Sequence, residues 1–244
     1  MKKRIISLLL IVCLVVSMLP VSAMAATTPA GSAQGQFDDV KASDWFYEAV
    51  RYARANGLMN GTSSKIFSPH GTLTRGMFVT MLGRLAGVDP ADYAGQSEFS
   101  DVAATAYYAP YVAWAAKYGI AAGTGNGKFS PEALVTRQQM ALFFVRYFER
   151  FGVKCASAGV TTEPADMDSV APYAKDAVLK LWQLGLLGGD GKNFDPNGNA
   201  TRAQAATLCM RADKNVETWY CEPGVASTRQ RIEPPAEEID TAAD

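Results

Sequence analysis

The chain has 244 residues, 48% of them hydrophobic and 19% charged, with a formal net charge of −1. That composition supports a packed core and excludes both a disordered polymer and a polytopic membrane protein. Lys2, Lys3 and Arg4 precede a mostly apolar run over residues 5–21, and Ala23-Met24-Ala25 follows. This layout predicts a secretory signal peptide over residues 1–25 with cleavage after Ala25. An uncleaved membrane anchor is the alternative. Cleavage would leave 20 basic against 24 acidic residues, a net of −4. The six acids and two bases of the tail, residues 222–244, account for all of that excess. The body is therefore nearly neutral, with no basic stripe for nucleic acid and no expected membrane contact after cleavage.

Cys155, Cys209 and Cys221 remain after cleavage, an odd number whose pairing the sequence leaves open. His70 is the single histidine and no Cys/His cluster occurs, so neither a metal site nor a cofactor is expected. His70 itself stands in the turn Ser68-Pro69-His70-Gly71.

Internal repetition organises the rest of the chain. Each copy opens on Phe37-Asp38-Asp39-Val40, Phe99-Ser100-Asp101-Val102 or Met167-Asp168-Ser169-Val170, followed by an aromatic, Trp45, Tyr107 or Tyr173. Glycines four apart come next: Gly57 with Gly61, Gly119 with Gly123, Gly185 with Gly189. Then stand the turns Phe67-Ser68-Pro69, Phe129-Ser130-Pro131 and Phe194-Asp195-Pro196. Thr74-Arg75, Thr136-Arg137 and Thr201-Arg202 close the series at intervals of 62 and 65 residues.

Each unit reads as helix, long loop, helix. In the first, Trp45, Ala49, Val50, Tyr52 and Ala53 form an apolar stripe that predicts a helix from Asp44 to Asn56, ended by Gly57. Glycine, serine, threonine and asparagine fill the loop, and Pro69 stiffens its last turn. Thr74, Thr136 and Thr201 are the expected caps of the second helices. Gln139 and Gln204 complete capping boxes, whereas repeat one has Met77 at that position.

Four, seven, eight and eleven residues beyond each threonine stand Phe78, Met81, Leu82 and Leu85; Met140, Phe143, Phe144 and Tyr147; and Ala205, Leu208, Cys209 and Ala212. That is one buried stripe in three versions, on which Cys209 counts as a small buried hydrophobe, with a disulfide as the alternative. A unit of this size has little core of its own, so three copies are expected to bury their faces together. The expected organisation is a linker over 26–36, repeats over 37–91, 99–153 and 167–216, a connection over 154–166, and a flexible acidic tail over 222–244.

The order F-x-D-V, aromatic, G-x-x-x-G, F-x-P and T-R resembles the S-layer homology domain in three copies. The resemblance implies an all-α, pseudo-threefold helical bundle with three loop prongs. It further implies a secreted, non-enzymatic module on the bacterial cell wall or S-layer. Its implied ligand is a secondary cell wall polysaccharide carrying a pyruvylated amino sugar, held in grooves between repeats. Peptidoglycan is the other wall ligand considered. The family's Thr-Arg-Ala-Glu motif reads Thr74-Arg75-Gly76-Met77, Thr136-Arg137-Gln138-Gln139 and Thr201-Arg202-Ala203-Gln204, so the arginine is kept throughout and the acid is absent.

By this resemblance Arg75, Arg137 and Arg202 are the ligand-contacting arginines, and the groove served by repeat one is the weakest. A guanidinium at a helix start suits a sugar-borne carboxylate, because its planar donors stand beside the positive end of the dipole. Trp45, Tyr107 and Tyr173 are candidates for stacking on sugar faces, but core packing at the helix starts is the reading preferred for them. Gly61, Gly123 and Gly189 would admit ligand close to the backbone. Asp39, Asp101 and Asp168 are expected to brace the loops. Two competing functions remain at this stage: a module binding an envelope protein partner, and a small wall hydrolase using a carboxylate pair such as Asp101 and Glu132.

Overall fold

A computed structural model describes residues 37–218. The expected signal peptide, linker, acidic tail and Cys221 lie outside the described residues. Among the described residues six α-helices carry the structure: α1 Tyr47–Ala55, α2 Arg75–Leu85, α3 Ala109–Lys117, α4 Arg137–Arg150, α5 Lys175–Gln183 and α6 Arg202–Asn215. The fold is helical as expected, with one addition. Within the long connection, β1 (Lys154–Cys155) pairs antiparallel with β2 (Val216–Thr218), just beyond α6.

The first helix starts later than its stripe suggests. The Asp44 carboxylate accepts the Lys41 amide at 2.7 Å, and the amides of Asp44 and Tyr47 bond back to the carbonyls of Lys41 and Asp44. Two successive three-residue turns thus carry Trp45 before α-helical bonding begins. Gly57, Gly119 and Gly185 adopt φ of 65°, 69° and 65°, the left-handed conformation that stops α1, α3 and α5.

At the second helices Thr74, Thr136 and Thr201 each accept the amide three residues on. Gln139 and Gln204 return the bond to the cap amide at 3.1 and 3.0 Å, and Met77 has no such atom to offer. Phe78, Met81, Leu82 and Leu85 are buried, as are Met140, Phe143, Phe144 and Tyr147, and Ala205, Leu208, Cys209 and Ala212.

Helices pair across repeats. The second helix of each repeat packs on the first helix of the next: α2 on α3, α4 on α5, and α6 back on α1. At the first of these contacts a Cβ on Gly83 would collide with the ring of Tyr111, so glycine sets how close α2 and α3 lie. A ring of backbone hydrogen bonds repeats the same circular order. Leu73 donates to Ala200 O at 3.0 Å, Ala200 to Val135 O at 2.9 Å, and Val135 to Leu73 O at 3.0 Å. All three residues are buried.

The first two amides of each second helix donate in the sense opposite to every step of that ring, always to the following repeat. Arg75 and Gly76 donate to Ala133 and Pro131, Arg137 and Gln138 to Gly198 and Pro196, and Arg202 and Ala203 to Gly71 and Pro69. These helix starts are therefore satisfied by protein carbonyls, so their first amides are not available to a ligand.

Candidate ligand groove

Each helix-start arginine is buried and reaches into the next repeat's loop. Arg75 donates through Nε to Phe129 O at 3.0 Å and through Nη2 to Ala122 O at 2.8 Å. Arg137 bonds Phe194 O and Gly188 O, both at 2.7 Å. Arg202 bonds Phe67 O at 2.8 Å and Asn60 O at 2.6 Å, which closes the circle from repeat three to repeat one. Each guanidinium also lies 4.6–4.8 Å from the ring centroid of the phenylalanine whose carbonyl it binds.

Burial lowers the pKa of all three arginines from the ordinary value. Nearby groups oppose that shift: Asp101 and Tyr173 at Arg75, Asp195 and Asp166 at Arg137, Asp39 and Tyr107 at Arg202. Nη1 makes no hydrogen bond to the described residues in any of them. Among those residues no fully buried side-chain nitrogen or oxygen lacks a partner, so Nη1 reaches solvent. Two thirds of the fork thus hold the loop, and the third nitrogen keeps some contact with solvent.

An aspartate fixes the turn beneath each arginine. Asp39 accepts the amides of Phe67 and Ser68 at 2.8 and 2.7 Å, and Asp101 those of Phe129 and Ser130, both at 2.8 Å. In repeat three this brace is Asp166, which accepts Phe194 and Asp195, both at 2.7 Å. That corrects the expectation for Asp168, which is exposed. Asp166 stands 28 residues before Phe194, the separation of Asp39 from Phe67 and of Asp101 from Phe129.

The middle residue of each turn, Ser68, Ser130 or Asp195, takes a left-handed φ of 56–60°, strain that the paired carboxylate bonds help to hold. Burial pushes the Asp101 carboxyl up, but the amides of Phe129, Ser130 and Asp101 itself, with Lys128, hold it below the ordinary value. A carboxylate engaged in this way is a poor general acid.

Gly61, Gly123 and Gly189 have an intramolecular reason for lacking a side chain. A Cβ would strike the returning loop backbone: Ser63 and Ile66 at Gly61, Lys128 at Gly123, Asn193 at Gly189. Trp45, Tyr107 and Tyr173 are 64%, 56% and 56% exposed, which overturns the core-packing reading preferred for them. The residue after each is the one drawn inward, with Phe46 and Ala174 fully buried.

A groove of about 820 Å³ brings these parts together around Arg137. Repeat two contributes Arg137, and repeat one contributes Trp45. Repeat three supplies the loop residues Gly188, Gly189, Asp190, Asn193 and Asp195, with Asp166 and Phe194 below them. Gln204, Thr207 and Arg211 of α6 line one wall. The electrostatic pairing of Arg75 with Asp101 and Tyr173, and of Arg202 with Asp39 and Tyr107, follows the same order. Each such constellation therefore draws its arginine, its loop and its aromatic ring from three different repeats.

Asp190 accepts two loop amides and the Asn193 side chain, which hold its pKa at about 2. The sequence reading did not single out Arg211, although its signal was present: Arg84, Arg146 and Arg211 stand ten residues beyond the three threonines, at the same intervals. Among the described residues no group of histidine, cysteine, aspartate or glutamate is arranged to hold a metal ion.

Helix-loop-helix units linked head to tail, with an exposed ring and a largely committed arginine lining the space between them, define a repeat protein with grooves between its repeats. The chain belongs to the S-layer homology domain family, which matches residues 36–76, 98–141 and 165–206.

It is similar to an endoglucanase of Bacillus sp. (strain KSM-635), 34% identical over 209 residues that make up 84% of this chain and 22% of the enzyme. It is also similar to the S-layer protein sap of Bacillus anthracis, 28% identical over 208 residues, 84% of this chain and 25% of that protein. An amylopullulanase of Thermoanaerobacterium thermosulfurigenes is 32% identical over 174 residues, 70% of this chain and 9% of the enzyme.

The chain spans a quarter or less of the length of these relatives. What it shares with the two enzymes is the repeat region and not their catalytic parts. Family membership places the chain at the cell surface or cell wall, as an anchoring module. Among the described residues no helix is long and apolar enough to cross a membrane.

Proposed function

We propose that the chain anchors itself, or what it is attached to, by binding an acidic polysaccharide of the bacterial cell wall without catalysing a reaction. The ligand is a secondary cell wall polymer whose pyruvylated amino sugar presents a carboxylate, and it sits in the grooves between repeats. In this reading the three repeats form one pseudo-threefold helical bundle, and the loops that follow α1, α3 and α5 are its prongs.

The observation that carries the proposal is the groove at Arg137. An exposed indole, a guanidinium with one uncommitted nitrogen and a wall of polar side chains line a space of about 820 Å³ there. Indole offers a face to the apolar side of a sugar ring, and a guanidinium nitrogen favours a carboxylate oxygen over a hydroxyl.

The test is co-sedimentation of the protein, residues 26–244, with wall sacculi before and after acid removal of the polysaccharide. Binding is expected to disappear on stripping. Trp45→Ala is expected to weaken binding to intact sacculi about ten-fold while leaving the melting temperature unchanged, because the indole is mostly solvent-facing. Binding that survives stripping would transfer the proposal to peptidoglycan.

A further inference from the structure

Arg137 is a compromised charge. Its Nε and Nη2 are committed to Phe194 O and Gly188 O, and Asp166 and Asp195 line the same groove beside it. Three carboxylates face this space, since Asp190 lines it too. Asp166 and Asp190 are occupied by backbone amides, whereas the Asp195 carboxylate accepts no hydrogen bond from the described residues and acts electrostatically on Arg137. Attraction for an acidic ligand therefore needs a cation that the groove's own acids do not offset.

Arg211 meets that description. Gln204, Thr207 and Arg211 stand three and then four residues apart on α6, so they form one stripe along the groove wall. The Arg211 side chain is exposed, has no ion pair among the described residues, and makes one long bond, Nη1 to Gly185 O at 3.4 Å. A bond of that length is weak and easily exchanged for a ligand oxygen. Arg84, the equivalent residue on α2, behaves alike: its one bond, to Leu58 O, is 3.3 Å long. It also acts electrostatically on Tyr107 together with Arg202. A buried helix-start arginine with a second arginine ten residues into the neighbouring helix thus occurs twice beside a groove aromatic, although Arg84 is half-buried where Arg211 is exposed.

We infer that Arg211 is the principal charge-reading residue of this groove and that Arg137 chiefly positions the loop, so the acidic group of the saccharide is taken by the cation on α6. This rests on the reading of the groove as an acidic-glycan site. The consequence is a ligand preference set ten residues inside the helix and not at the Thr-Arg pair that marks each repeat.

The experiment compares the unaltered protein, Arg211→Gln, Arg211→Lys and Trp45→Ala for binding to polysaccharide released from sacculi by acid, across a range of salt concentrations. Arg211→Gln is expected to bind about ten-fold more weakly and to show a shallower salt dependence, while its melting temperature stays unchanged. Arg211→Lys should recover most of the affinity, because it restores the charge.

If Trp45→Ala loses binding and Arg211→Gln does not, the inference is overturned while the groove remains the site. If the unaltered protein ignores the polysaccharide, or if both variants bind fully, the glycan reading of this groove falls and the inference with it.

Discussion

At the residue scale, the same side chains serve the fold and the site. Asp166 illustrates how. Its two oxygens hold the amides of Phe194 and Asp195, the first of which belongs to the residue whose carbonyl and ring receive Arg137. Asp166→Asn leaves one of those amides facing a donor and is expected to lower unfolding free energy by about 2 kcal/mol in urea titration. Asp168→Asn should change it by less than about 0.5 kcal/mol, as befits an exposed side chain. Equal effects would refute the assignment of the brace.

Asp190 gives a prediction in pH. Its folded pKa of about 2 lies below the ordinary 3.8, so its contribution to loop order is complete above the ordinary value and is lost as pH falls through about 2. Carboxyl titration followed by NMR should place its midpoint near 2, and a midpoint near 3.8 would show that the Lys192 and Asn193 bonds do not persist in solution.

At the scale of the element, capping is uneven among the three second helices. Thr136 and Thr201 sit in complete capping boxes, whereas α2 has the half-box left by Met77. Met77 is 37% exposed, so a polar side chain of similar length fits there without disturbing the core. Met77→Gln is expected to stabilise the protein by roughly 0.5 kcal/mol, measured as a rise in melting temperature.

The elements also show how far local sequence reaches. The threonine caps, the stopping glycines and the apolar stripes of α2, α4 and α6 were all legible, because each depends on residues within one or two helical turns. The start of α1 was not. The stripe runs through Trp45, but the Asp44 carboxylate favours a tight turn over a first α-helical turn, and that choice leaves the indole outside.

At the scale of the whole molecule, the repeats are linked in a closed order. The ring of Leu73, Val135 and Ala200, and the reach of Arg202 back to Phe67 and Asn60, tie repeat three to repeat one. A lesion in one repeat should therefore be felt by all. Arg202→Ala leaves two loop carbonyls without their charged partner and is expected to cost about 2–4 kcal/mol. At about 2–4 °C per kcal/mol for a body of this size, calorimetry should show one transition displaced downward by several degrees. Two separated transitions, with repeat three melting first, would refute the cooperative closure.

The sequence by itself determined the number of repeats, their helix-loop-helix composition, the caps and the core stripes. It also carried the family, because fixed spacings between turn, cap and stripe residues record local backbone requirements. Only the tertiary structure decided which repeats meet at a groove, because helices pair with the next repeat's helices and a repeat pattern looks the same whichever neighbour it faces. It decided, too, that the helix-start arginines are largely committed to loop carbonyls. That commitment depends on groups 47–142 residues away along the chain, a distance over which spacing alone carries no information.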